Sequence, residues 1–95
     1  MTDKIRSFTD LRAWQVGHQL VLMVYRASSK FPSRENFSLT DQIRRAAVSI
    51  TSNIAEGFSR QSPKEKIQFY FMAHGSLTEL ENQLLIAKEV GYIRE

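Results

Sequence analysis

Apolar side chains recur every three or four residues along three long segments of this 95-residue chain. That spacing places them on one face of an α-helix, whereas a half-buried strand would need strict alternation. The chain also holds only four glycines and two prolines, too few turn-forming residues for an all-β fold. The sequence therefore predicts an all-α protein, an antiparallel up-down helical bundle with three long helices, in a single domain over residues 1–95.

The first helix is predicted over residues 10–30. Thr9 or Asp10 can cap its start, and Phe31-Pro32 ends it because the residue before a proline disfavours the helical conformation. Its apolar residues are Trp14, Leu20, Val21, Val24, Tyr25 and Ala27.

The second helix is predicted over residues 39–57, with Ser38 or Thr40 as its cap and Gly57 as a left-handed stop. Its stripe is formed by Leu39, Ile43, Ala46 or Ala47, Ile50, Ile54 and Phe58.

The third helix is predicted over residues 63–90 and has the strongest start signal in the chain. Ser62 is the expected cap, Pro63 suits the first helical position, and Glu65 can bond back to the cap amide. Gly91 is expected to end the helix. Its stripe consists of Phe69, Ala73, Leu77, Leu80, Leu84 and Ala87.

The apolar faces are broader than three helices can cover. Tyr70, Phe71 and Leu85 form a second flank on the third helix. A long apolar groove is therefore expected to remain open, and large apolar patches usually mark a partner surface. Two alternatives remain: a fourth helix that this sequence does not contain, or another subunit.

No residue pattern indicates catalysis. The chain has no cysteine, and His18 and His74 lie on different helices without an acidic residue at metal-ligand spacing. Neither a G-x-S-x-G motif nor a phosphate-cradling glycine loop is present. The chain is therefore predicted not to be an enzyme and to need no metal or cofactor. Without a membrane-spanning segment or a secretory signal, a soluble cytoplasmic protein is expected.

Basic residues are concentrated in the first third of the chain. The formal net charge is +3, with +4 over residues 1–34 and −1 over residues 64–95. This distribution suits a polyanion partner and equally suits an ordinary solvated surface. Arg44 and Arg45 pose the same alternatives: they contact phosphate, or they form surface ion pairs such as Asp41–Arg45.

Two further groups have more than one interpretation. Ser49, Ser52, Asn53 and Glu56 lie on one side of the second helix. They form either a close helix contact, in which Asn53 and Glu56 build a hydrogen-bonded network, or an exposed surface. The aromatic series over residues 69–71 is expected to be mainly core, with stacking on bases as the alternative.

Several segments that together cover nearly the whole chain match a known family. They are Phe8-Thr9-Asp10-Leu11-Arg12-Ala13-Trp14-Gln15, Val24-Tyr25, Phe31-Pro32, the run QIRRAAVSITSNIAEG over residues 42–57, Arg60, Gly75-Ser76-Leu77, Glu79-Leu80-Glu81 and Gly91-Tyr92. The chain resembles the four helix bundle protein family in these segments. That family includes proteins encoded in intervening sequences of bacterial 23S ribosomal RNA genes and accessory variability proteins of diversity-generating retroelements.

The resemblance implies a four-helix bundle that assembles into a ring, typically a homopentamer, with a basic surface for RNA or DNA. It also implies a reverse transcriptase as partner in retroelement members, and no enzymatic activity. Family members continue past Gly91-Tyr92-Ile93 into a fourth helix, whereas this sequence stops at Glu95.

The function predicted is therefore that of a non-catalytic, oligomeric accessory protein that binds nucleic acid. The alternative is a structural protein–protein interaction module without nucleic-acid binding. The candidate phosphate contacts are Arg44, Arg45, Arg60, Lys64, Lys66, Arg12 and Lys30. The candidate structural and interface residues are Ser49, Asn53, Glu56 and Trp14.

Overall fold

The computed structural model describes residues 4–94, and helices are the only regular elements in that range. The long helices are α1 (Arg12–Ser28), α2 (Leu39–Ser59) and α3 (Pro63–Glu89). Single 3-10 turns over Phe8–Asp10 and Ser33–Glu35 precede α1 and α2. The predicted all-α bundle is confirmed, with each helix within two residues of its expected bounds. None of the helices within residues 4–94 is long and apolar enough to cross a membrane.

The central helix α2 holds the molecule together. Both α1 and α3 pack against it, but no Cα atom of α1 lies within 8 Å of one in α3. Because α2 contacts a neighbour on two sides, it supplies half of the buried apolar residues. The five on α2 are Ile43, Ala46, Ala47, Ile50 and Ile54. The other five are Val24, Phe31, Ala73, Leu80 and Ala87.

The start of α1 differs from the prediction. The hydroxyl of Ser7 caps the preceding 3-10 turn, and the carboxylate of Asp10 accepts hydrogen bonds from the Arg6 and Ser7 amides at 2.9 and 3.1 Å. The N-cap of α1 itself is Leu11, which offers no side-chain acceptor. The prediction of Thr9 or Asp10 as the helix cap is therefore wrong, because Asp10 stabilises the turn before the helix.

Ser38 is the N-cap residue of α2, one of the two positions predicted, but its side chain accepts no bond from a helix amide. The side chain that caps the helix is that of Glu35. Its carboxylate accepts hydrogen bonds from the Ser38 hydroxyl (2.6 Å), the Tyr92 hydroxyl (2.8 Å) and the Leu39 amide (3.3 Å). The bonds from Ser38, Tyr92 and Leu39, in that order, hold the pKa of Glu35 below its ordinary value. Thr40 is buried inside the helix, and its hydroxyl has no hydrogen-bond partner.

The predicted ends of α3 agree with the structure, except that the Glu65 carboxylate accepts no bond from the Ser62 amide. Pro63 is its first residue, and the Ser62 hydroxyl accepts a bond from the Glu65 amide at 3.5 Å. At the other end Gly91 has a φ of 89°, the left-handed conformation that favours glycine. These signals were readable from the sequence because each acts over four residues or fewer.

The role predicted for Gly57 is wrong, since α2 continues through it to Ser59. A Cβ at position 57 would lie 2.7 Å from the Tyr70 ring and 3.1 Å from the Phe69 Cβ. Gly57 therefore permits a close approach of α2 and α3. Gly75, in the middle of α3, has nothing within 4 Å of the corresponding position.

Alanine substitution at the two glycines should have opposite effects. We expect Gly57→Ala to lower the free energy of unfolding by about 1–3 kcal/mol, because overpacking outweighs the higher helix propensity of alanine. The matched control Gly75→Ala should raise it by about 0.5–1 kcal/mol, since the exposed site has room. Urea denaturation measures both values. A stabilising Gly57→Ala would show that Tyr70 and Phe69 yield without cost.

Candidate nucleic-acid interface and the apolar groove

The adjacent arginines of α2 have different environments. Arg44 packs against α1: its Nε donates to the Ser28 hydroxyl at 2.8 Å, and its Nη2 donates to the Tyr25 carbonyl at 3.4 Å. Its guanidinium carbon lies 4.6 Å from the centre of the Tyr25 ring. Ser28 is 3% exposed. Arg44 therefore joins the start of α2 to the carbonyl end of α1, where a cation is favourable.

Arg45 faces solvent, with 79% of its side chain exposed. Its Nε lies 3.0 Å from the Asp41 carboxylate, one helical turn away. The ion pair that the spacing suggested is therefore present. Because exposed ion pairs contribute little to stability, Arg45 can exchange this carboxylate for a phosphate at small cost.

Two other predicted phosphate contacts support the far end of α2. Arg60 pairs with Glu56 at 3.1 Å, and its guanidinium carbon lies 4.7 Å from the centre of the Phe69 ring. Lys66, on α3, donates from Nζ to the Phe58 carbonyl at 2.8 Å. Both side chains thus stabilise the α2–α3 turn. The Glu56–Arg60 pair has the i, i+4 spacing of a helical ion pair, whereas the contacts with the Phe69 ring and the Phe58 carbonyl could not be inferred from spacing.

The remaining predicted contacts, Arg12, Lys30 and Lys64, are exposed. Arg12 is the first residue of α1 and Lys64 the second residue of α3, and Lys30 follows the end of α1. With Arg45, four of the seven candidates therefore present their charge to solvent, while the other three lie against neighbouring side chains or carbonyls.

Basic residues cluster around the α1–α2 connection at one end of the bundle, in a segment that we call the cationic end and define as residues 26–45. It contains five basic residues and two acidic ones, so its net charge of +3 equals that of the whole chain. Besides Lys30, Arg44 and Arg45 it includes Arg26 and Arg34, which were not among the predicted contacts. Their signal in the sequence is their position, with Arg26 just before the α1–α2 connection and Arg34 within it.

The polar side of α2 makes a helix contact. The hydroxyls of Ser49 and Ser76 lie 2.8 Å apart across the α2–α3 interface. Asn53 donates to the Ser49 carbonyl at 2.8 Å and to its hydroxyl at 3.1 Å. Glu56 does not join this network, because it is exposed and pairs with Arg60.

Trp14 on α1 packs against the 3-10 turn over Phe8–Asp10. Its indole stacks on the His18 ring with centroids 4.7 Å apart and meets the Phe8 ring edge-on at 5.3 Å. Trp14 is half-buried and packs against the core cluster.

The prediction that residues 69–71 are mainly core is wrong for Tyr70, which is 39% exposed, and more clearly for Phe71. Its side chain is 72% exposed, whereas Phe69 is half-buried beneath Arg60. Along α3 the helical turn of about 100° per residue directs Phe71 away from α2. Apolar residues surround α3, so periodicity alone could not show which of its faces meets α2.

The predicted open groove is present between α1 and α3. It has a volume of about 540 Å³, and α2 forms its floor through Ile50 and Ile54. The walls are predominantly apolar and include Val16, Gly17 and Leu20 on α1 with Tyr70, His74 and Leu77 on α3. The groove exists because both outer helices pack on α2 and not on each other.

Within residues 4–94, no group of three or more histidine, aspartate or glutamate side chains is placed to hold a metal ion.

The fold and these surfaces define a small all-helical bundle protein, with two outer helices on a central one and a cationic end. The family model for the 23S rRNA-intervening sequence protein matches residues 9–95. The chain belongs to this family. None of the curated proteins compared with the chain matches it.

Proposed function

We propose that this chain is a non-catalytic accessory protein of the cytoplasm that assembles with copies of itself and binds the phosphate backbone of RNA or DNA. The observation that carries the proposal is the cationic end, whose twenty consecutive residues carry a net charge of +3. Clustered cations of this kind are the electrostatic signature of a polyanion site.

The exposed cations are the proposed phosphate contacts. Arg45 and Lys30 belong to the cationic end, while Arg12 and Lys64 lie in the first turns of helices at the opposite end. The ends are separated by the length of α2, roughly 30 Å at 1.5 Å per residue. Contacts at the cationic end should therefore dominate for a short oligonucleotide.

Assembly into a homo-oligomer is proposed from the apolar surface. The groove between α1 and α3 is open, and Phe71, Met72, Leu85 and Val90 on α3 are each more than half exposed. Such surfaces are unusual on a monomer and are commonly covered by a partner. A pentameric ring is the form that the family resemblance implies.

The test combines light scattering after size exclusion with fluorescence anisotropy on labelled RNA and DNA at several salt concentrations. We expect a discrete oligomer and an affinity that falls steeply with salt. Lys30→Gln/Arg45→Gln should weaken binding. It should also make the slope of log affinity against log salt shallower, by an amount equivalent to at most about two phosphate contacts. Arg12→Gln/Lys64→Gln removes the same charge at the opposite end and should have the smaller effect. Equal effects of the two variants would contradict a localised site.

The second candidate function is a scaffold that docks a partner protein, such as a reverse transcriptase, without touching nucleic acid. The apolar groove favours it, because an amphipathic helix of a partner could lie in such a groove. Heparin separates the two functions. It should displace bound nucleic acid by competing for the basic side chains, whereas a helical interface without water should be unaffected.

A further inference from the structure

A surface depression of about 600 Å³ lies at the cationic end, beside the Arg44–Tyr25 contact. Aromatic, aliphatic and charged side chains all border it. Its lining consists of Tyr25, Asp41, Arg44, Arg45, Val48 and Ser49.

The depression exposes apolar surface among charges. Tyr25 is 43% exposed and Val48 is 39% exposed. Arg44 lies over the Tyr25 ring, and its Nε and Nη2 are engaged by Ser28 and by the Tyr25 carbonyl. Those two bonds use much of the planar fork through which arginine grips phosphate. Arg44 is therefore better placed to stack the flat face of its guanidinium group on a ligand than to donate hydrogen bonds from its edge.

We propose that this depression is a subsite for an unpaired base of single-stranded nucleic acid. The base stacks on the exposed part of the Tyr25–Arg44 pair, and Val48 supplies the apolar floor. Arg45 leaves Asp41 and contacts the adjacent phosphate. This inference rests on the proposed function, since it names the form of nucleic acid that the cationic end would bind.

Stacking selects the single strand over the duplex. In a duplex both faces of each base are covered by neighbours, whereas an unpaired base can stack on aromatic rings and on guanidinium planes. Charge alone would favour the duplex, which has the higher charge density.

The experiment compares two fluorescent ten-nucleotide strands, one with bases and one abasic, on the full chain at about 50 mM salt. Both strands carry the same phosphates, so any difference reports the bases. We expect the strand with bases to bind about tenfold more tightly, since stacking contributes about 1–3 kcal/mol per base. The duplex formed by annealing the strand with bases to its complement should not show this tighter binding.

Variants locate the subsite. Tyr25→Leu should remove the preference for bases while leaving the salt slope unchanged, because no phosphate contact is lost. Tyr25→Phe retains the ring and should retain the preference. Val48→Glu, at a partly exposed position, should remove it independently of Tyr25. Circular dichroism melts establish that each variant is folded.

The outcomes separate this inference from the proposed function. Equal binding of the base-containing and abasic strands overturns the subsite and leaves backbone binding intact. Failure to bind either strand overturns both. A folded Tyr25→Leu and a folded Val48→Glu that keep the full preference place the base elsewhere and overturn this location.

Discussion

Leu80→Ala is expected to lower the free energy of unfolding by about 2–5 kcal/mol, the range for truncating a fully buried leucine. Leu80 is 1% exposed and, with Ile43, is one of the two largest fully buried side chains in the described part of the chain. Its core cluster contains four buried alanines, whose short side chains cannot extend into the space vacated. A domain of ordinary stability, about 5–15 kcal/mol, would lose a large fraction of it.

The control is Leu85→Ala on the same helix, where the side chain is 56% exposed. Its effect should stay within about 0.5 kcal/mol. Urea denaturation should be followed at two protein concentrations, because a subunit interface over Leu85 would make that effect concentration-dependent. Equal losses at low concentration would contradict the assignment of Leu80 to the core and Leu85 to the surface.

Arg44→Ala and Arg45→Ala should separate stability from binding. Arg44→Ala is expected to cost about 1.5–3 kcal/mol, the range for a charged hydrogen bond, because it removes the donor to the buried Ser28 hydroxyl. Arg45→Ala should change stability by less than about 0.5 kcal/mol, since its ion pair is exposed. The same Arg45 variant should weaken nucleic-acid binding and flatten its salt dependence.

Thermal and urea unfolding measure the first difference, and anisotropy titrations across salt measure the second. Arg44→Lys is the matched control, because it keeps the charge and loses the planar edge. It should therefore resemble Arg44→Ala in stability. Identical stability losses for Arg44→Ala and Arg45→Ala would contradict the division of roles between the two arginines.

Most of the fold could be predicted from local patterns. The stripes of α2 and α3, the Ser62-Pro63 start and the Gly91 stop all depend on residues a few positions apart. Those interactions are encoded in short windows of the chain, so helix bounds and the open groove followed from spacing. The candidate site was harder to predict from the sequence, because spacing identified exposed arginines and lysines without identifying the side chains next to them.

The error at the start of α1 is local, since Asp10 bonds to amides three and four positions before it, but other errors involve contacts between distant segments. The Tyr92 hydroxyl reaches Glu35 across 57 positions of the chain, and Gly57 is required because the Tyr70 ring lies against it. Nothing near Glu35 or Gly57 in the sequence specifies those partners. A helical period identifies the faces of a helix, but it does not say which neighbour each face meets.

The amino-acid sequence by itself determined that this protein is three helices with broad apolar faces, because helix formation and termination are governed by neighbouring residues. Only the tertiary structure decided that Arg44 bonds to α1 while Arg45 faces solvent and pairs with Asp41. The physical reason is that two adjacent helical residues point about 100° apart. Which of them faces a neighbour depends on how α1 packs on α2.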